Sequence, residues 1–407
     1  LARCRPPLFL LFPLSCSFVL MRVRATLASA SVVAALGLVI RSLTQVLHRL
    51  REAEAAGAAE AARADAEAAR KHELACELLT LRNLLISTPA SVETRFVPAP
   101  SDVFVVGYPR CGTTWVSQIV HALRTGAEVE KTMAFGEISE VVPWDVQAEA
   151  CGQRLNSPQV GVPRAFKSHE TWEAIAKGAR YIYVARDPVD AFLSFYEHLP
   201  AYANLLPGDL EPQQFADALF AGAARAGQIW PHFLGWWKQR RNPDVLWVFY
   251  DDLHADLPGC IARVAEFLGL SESEPATLDR TAALSSFDFM SAADNAPHFD
   301  DHFVRGHVLP RMGLPRDLPA RVSKVCHGVV GRGARELPAG VVERLAARWA
   351  ETMVSETGCS SYSELREAYS HERPLTPDTA YAPDRPRFSS SWFSLPNSLS
   401  PASSGSH

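Results

Sequence analysis

Residues 103–115 read Val103-Phe104-Val105-Val106-Gly107-Tyr108-Pro109-Arg110-Cys111-Gly112-Thr113-Thr114-Trp115, and this stretch decides the fold. Val103 to Val106 form a short apolar, β-branched run that suits a strand covered on both faces. Gly107, Pro109 and Gly112 then break the pattern and force a tight turn. Beyond Trp115, apolar residues return at helical spacing as Val116, Ile119, Val120 and Leu123. Strand, glycine-bearing turn and helix aim several backbone N–H groups and a positive dipole end at one spot. An anion, most simply a phosphate, belongs there.

The turn matches a Walker A loop only in part. Gly107 and Gly112 have the required spacing, but Thr113 stands where that loop has its Lys. The cation sits inside the turn instead, at Arg110. An internal cation followed by Gly-Thr-Thr-Trp resembles the phosphosulfate loop of the sulfotransferases, usually Tyr-Pro-Lys-Ser-Gly-Thr-Thr-Trp. Arg110 replaces its Lys and Cys111 its Ser. The plainer alternative is an ordinary βα connection that carries glycines.

Further blocks follow in the order the resemblance requires. Lys167-Ser168-His169 stands where the family has Lys-Thr-His, which gives His169 the role of catalytic base. Imidazole titrates near neutrality and suits that task. Tyr181 to Tyr196 matches the family's 3′-phosphate block, with Arg186 at a strand end and Ser194 two helical turns on. A guanidinium and a hydroxyl so placed can grip one phosphate. The segment Val245 to Leu253 looks like the one whose Tyr meets adenine, pointing to Tyr250. Ser285-Ser286-Phe287-Asp288-Phe289-Met290 resembles the stretch lining the nucleotide, which implies Ser285, Phe287 and Met290. Trp115 would stack on the base. The family's late Arg-Lys-Gly element has its best match at Cys326-His327-Gly328, with neither basic residue kept. Val304-Arg305-Gly306 is a poorer match, and Lys324, Arg332 and Arg335 are candidates for the lost charge. The resemblance covers roughly residues 97–369.

What the resemblance implies is a sulfotransferase using 3′-phosphoadenosine 5′-phosphosulfate (PAPS), with a hydroxyl or amine acceptor. His169, Arg110 and Lys167 would be catalytic. Arg110, Cys111, Gly112, Thr113, Thr114, Trp115, Arg186, Ser194, Tyr250, Ser285, Phe287, Met290, His327 and Gly328 would hold the donor. No metal enters that scheme. Two other classes stay in view: a P-loop kinase or nucleotide hydrolase, and a non-catalytic, membrane-tethered nucleotide-binding protein. Thr113 at the Walker Lys position speaks against the first.

The remaining sequence fits an α/β fold. Further buried-strand candidates are residues 165–167, 181–184 and 245–249, and helical periodicity follows the last two. Such alternation predicts a three-layer, P-loop-like domain: a central parallel sheet with helices on both faces. Residues 97–370 are read as that domain. Before it lie a targeting or signal-anchor segment (1–48, apolar over 25–40) and an Ala/Glu-rich helical stem or weak coiled coil (49–96). A Pro/Ser-rich tail (371–407) lacks the apolar content to fold. A net charge of −5 over 407 residues gives no basic excess for nucleic acid. Eight scattered cysteines include no C-x-x-C pair for zinc or thioredoxin-type chemistry. The expected partners are a small-molecule, sugar or lipid hydroxyl, with membrane anchoring in a Golgi or secretory setting, or else a cytoplasmic enzyme. Acceptor and oligomeric state are not legible.

Overall fold

The structure is a computed structural model and describes residues 30–86, 96–202, 210–221, 228–270, 274–312 and 323–372. The chain divides into two units, residues 1–70 and 71–407. Helix α1 (Ala30–Ile86) runs for 57 residues, about 85 Å at the usual rise per residue. It begins earlier than the stem expected from residue 49, because Ala and Leu favour helix and no Pro interrupts the preceding stretch. Residues 41–70 of this helix are all exposed, including Leu43, Val46, Leu47 and Leu50. Among the described residues no helix is long and apolar enough to cross a membrane. Residues 1–29 of the expected targeting or anchor segment, residues 87–95 of the expected stem and the tail from residue 373 lie outside the described residues.

The second unit is built on four parallel strands: β1 (Val103–Val106), β2 (Ala165–Ser168), β3 (Arg180–Ala185) and β4 (Val245–Phe249). Their spatial order is β2-β1-β3-β4. Val103 pairs with Ala165 on one side and with Arg180 on the other. The chain therefore leaves β1 toward opposite sides of the sheet, and the carboxyl end of β1 is a topological switch point, where ligands bind in such folds.

Strand residues alternate between two cores, as the period of two requires. Phe104, Val106, Phe166, Tyr181, Tyr183, Trp247 and Phe249 face one way. They meet helices α3 (Pro188–Tyr202), α4 (Pro212–Phe220), α5 (Ile229–Trp237), α7 (Ala339–Trp349) and α8 (Tyr362–Glu372). Val103, Val105, Ile182, Val184, Leu246 and Val248 face the other way, against α2 (Thr113–Arg124) and α6 (Leu257–Leu268). This is the three-layer α/β fold expected, with helices on both faces. Strand residues are buried throughout, apart from Arg180 at the start of β3, so continuous apolar runs appear where one-sided strands would alternate. Phe96 packs edge-on against Phe166 with ring centroids 5.0 Å apart, which ties the start of the domain to the sheet.

Candidate active site

The turn after β1 is shaped by close approaches. A Cβ on Gly107 would lie 2.6 Å from the carbonyl oxygen of Val184, and one on Gly112 would lie 2.8 Å from the Tyr250 ring. Gly112 caps α2 with φ 104°, and no side chain caps that helix. Its first-turn N–H groups therefore face the cleft without an internal acceptor. Arg110 adopts φ 71°, a left-handed conformation uncommon for a residue with a side chain. The Arg110 guanidinium donates through Nε to Ser194 Oγ at 3.1 Å and through Nη2 to the Lys324 carbonyl at 3.3 Å.

Arg186 leaves the end of β3 and closes the turn from above. Its Nη1 donates to the Arg110 carbonyl at 3.1 Å, and its guanidinium lies 4.2 Å from the centre of the Tyr250 ring. Trp115 stands edge-on to Tyr250, centroids 5.6 Å apart, and its indole N–H donates to the Ser285 carbonyl at 2.6 Å. The two rings and Arg186 thus share one wall.

At the end of β2, His169 is buried, with Nδ1 2.6 Å from the Gly107 carbonyl oxygen. A carbonyl only accepts, so Nδ1 carries the proton and donates it. Nε2 is then the basic nitrogen. Residues 143–145 extend the sheet edge: Lys167 N–H donates to Pro143 O at 2.8 Å and Asp145 N–H to Lys167 O at 2.9 Å. This places Trp144 against both catalytic candidates, 5.1 Å from the His169 ring and 4.8 Å from Lys167 Nζ.

One cleft gathers these groups. Of the residues expected from the sequence, Arg110, Gly112, Thr113, Thr114, Trp115, Lys167, His169, Arg186, Ser194, Tyr250, Phe287, Met290, His327 and Gly328 line it. Cys111 and Ser285 do not. The Cys111 side chain turns into the apolar core, where burial pushes its thiol up to about 12, and its N–H donates within the turn to Tyr108 O. Ser285 is fully buried and reaches the cleft only by holding Trp115. The cleft carries five basic side chains against two acidic ones, an excess that suits a polyanion.

The late segment is stitched to α3. Both oxygens of buried Asp190 accept backbone N–H bonds, from Gly331 and Gly333 at 2.7 Å each. Gly328 has φ 58°, and a Cβ there would lie 2.5 Å from the Phe287 ring. Arg332 lines the cleft and pairs with Glu197 at 2.8 Å and Glu336 at 2.6 Å. Lys324 pairs with Asp301. Arg305 is buried on the short helix His302–Val308 and is not brought to the cleft. Sequence reading missed Trp144, His198 and Asp301, and considered Lys324 only as a substitute charge. They come from four separate segments, and no spacing joins them.

A family model described as the sulfotransferase domain matches residues 100–300. The chain belongs to the sulfotransferase family. As a sulfotransferase it is an enzyme that transfers sulfuryl groups. It is 27% identical over 228 residues to sulfotransferase 1E1 of Bos taurus, covering 53% of this chain and 76% of that relative. Sulfotransferase 2B1 of Mus musculus is 30% identical over 200 residues, 47% of this chain and 56% of the relative. Among solved structures, retinol dehydratase in complex with androsterone and the inactive cofactor PAP superposes with a TM-score of 0.51. That match is 19% identical and covers 64% of this chain and 83% of the other, a likeness of fold.

Proposed function

We propose that this sulfotransferase uses PAPS as donor and a hydroxyl (or amine) acceptor, with His169 as base. The observation that carries the reading is the bond from His169 Nδ1–H to the Gly107 carbonyl, 2.6 Å long. It fixes the tautomer and ties the base to the same turn that supplies the phosphate-binding N–H groups. In the transfer, the acceptor oxygen forms a bond to sulfur as its proton passes to His169 Nε2. The bond between sulfur and the 5′-phosphate oxygen breaks, and its electron pair leaves with the nucleotide. Arg110 and Lys167 offset the charge that grows on the leaving oxygen, while N–H groups of the α2 first turn hold the 5′-phosphate. A guanidinium stays protonated, so Arg110 stabilises the leaving group without acting as its acid.

The donor's remaining contacts follow from the same cleft. Arg186 and Ser194 are the 3′-phosphate partners, and Trp115 with Tyr250, Phe287 and Met290 forms the slot for adenine. PAPS is compatible with the residues present: the positive excess matches its charge, and the uncapped α2 terminus matches its phosphate. The test is titration of the full chain with PAP, followed by transfer of labelled sulfate from PAPS over an acceptor panel. Submicromolar to micromolar PAP affinity with labelled product is expected. Magnesium-dependent ATP hydrolysis without sulfate transfer would replace this reading with the nucleotide-hydrolase one.

A further inference from the structure

The cleft beside His169 contains a polar group of side chains that the donor scheme leaves unused. Asp301 is buried, with His198 Nε2 3.4 Å from one carboxylate oxygen and the Lys324 ammonium paired to the other. Lys324 Nζ also donates to the Asp300 carbonyl at 2.9 Å. All three line the same cleft as Lys167 and His169. His198 lies on α3 one turn beyond Ser194, and the Asp301 carboxylate is near enough to Lys167, two residues before His169, to feel its charge.

From this cluster the geometry points to a hydrophilic acceptor subsite, built by His198, Asp301 and Lys324 and selecting a hydroxyl-rich acceptor of the sugar or polyol kind. The inference rests on the sulfotransferase reading above and names the acceptor class for that site. The energetic argument is one of exclusion. A monohydroxy apolar acceptor would strip water from an imidazole and an ion pair and return no hydrogen bonds, which is costly for buried polar groups. An acceptor with a second and third hydroxyl replaces that water and meets Trp144 with its C–H face. Sites lined by buried hydrogen-bonding groups discriminate strongly against ligands that lack the matching group. Burial and neighbouring Arg110 keep His198 neutral at working pH, with a value near 3. Burial alone would raise the Asp301 carboxyl, but Lys324, His198 and Lys167 together hold it well below the usual carboxylate range. One neutral ring, one carboxylate and one ammonium give donors and acceptors in the same subsite, as polyhydroxy compounds need.

The experiment compares kcat/KM of the wild-type full chain for methyl glucoside, a disaccharide and inositol against 4-nitrophenol and a 3-hydroxysteroid, with PAP affinity measured in parallel. The best hydroxyl-rich acceptor should exceed both apolar ones by at least about tenfold. His198→Phe should reverse the order, lowering kcat/KM for that acceptor about tenfold and raising it for the phenol. His198→Asn, which keeps a hydrogen-bonding side chain, should preserve the wild-type order. PAP bound normally with the phenol or steroid as the better substrate would overturn the inference and leave the sulfotransferase reading intact. Equal loss with every acceptor in His198→Phe would also overturn it, because that pattern marks a structural residue. Failure of the wild type to bind PAP would remove the donor reading itself.

Discussion

In the proposed transfer, His169 and Arg110 divide the chemistry between the two ends of the transferred group. With Nδ1–H committed to Gly107 O, the imidazole cannot rotate freely and offers Nε2 alone. His169→Ala should therefore cut kcat by about 10²–10⁴, the usual worth of a positioned base. PAP affinity by calorimetry should stay within a few-fold, since the base acts on the acceptor. A mutant with most of its activity would show that the proton goes elsewhere. At the other end, Arg110 reaches both Ser194 Oγ and the Lys324 carbonyl, so its fork spans two partners that a single ammonium cannot match. Arg110→Ala should lose at least about tenfold in kcat, and Arg110→Lys should lose part of that, its charge surviving without the second contact. Single-turnover rates at saturating PAPS make the comparison. An Arg110→Ala enzyme with unchanged turnover would place the leaving-group charge on another residue.

At the scale of elements, what was legible in the sequence was local. The β1 turn, the β2 end and the β3–α3 junction are each short contiguous motifs, so the family resemblance they carry pointed to Arg110, His169, Arg186 and Ser194. Gly328 was reached through its match to the family's late Arg-Lys-Gly element, and the structure adds the reason for a glycine: a φ of 58° and the Phe287 ring 2.5 Å from a would-be Cβ. Ala at that position would need both a left-handed backbone and a displaced ring, a strain of order 1–3 kcal/mol. Gly328→Ala should thus weaken PAP binding by about tenfold, because Phe287 is a wall of the proposed adenine slot. Wild-type PAP affinity in this variant would mean that the late segment does not shape that slot. Trp144, His198 and Asp301 were invisible because tertiary packing alone assembles them. Trp144 arrives through an isolated bridge to Lys167, and Asp301 meets His198 across more than a hundred residues of chain. Cys111 misled for the opposite reason. It sits inside a recognisable loop, but its side chain completes the core.

Across the whole molecule, stability is tied to histidines that the fold keeps neutral. His121 on α2, His198 on α3 and His232 on α5 are all buried. Burial, chiefly, lowers them from 6.5 to about 3, about 3 and about 4. Two of these rings also use a nitrogen as acceptor. His121 Nδ1 takes the Arg124 Nε–H at 3.1 Å. His232 Nε2–H points to the His169 carbonyl at 3.3 Å, so its Nδ1 accepts the Tyr183 hydroxyl at 2.9 Å. Protonation destroys both arrangements. In the unfolded chain the same three groups take up protons as pH falls through 6.5, so the unfolded state binds more protons and stability drops. Each histidine adds up to about 1.4 kcal/mol per pH unit to that slope until its folded-state value is reached. The contribution is complete above pH 6.5 and is lost between there and about pH 3–4. Urea unfolding followed by tryptophan fluorescence should show a midpoint that is steady from pH 8 to 7 and clearly lower at pH 5. His232→Gln keeps an acceptor and a donor but cannot be protonated, so it should flatten the slope while leaving His169 held from behind. A midpoint that is the same at pH 7.5 and pH 5 would mean that the buried rings accept protons without cost, and that α5 is not tied to Tyr183 of β3 through a neutral imidazole.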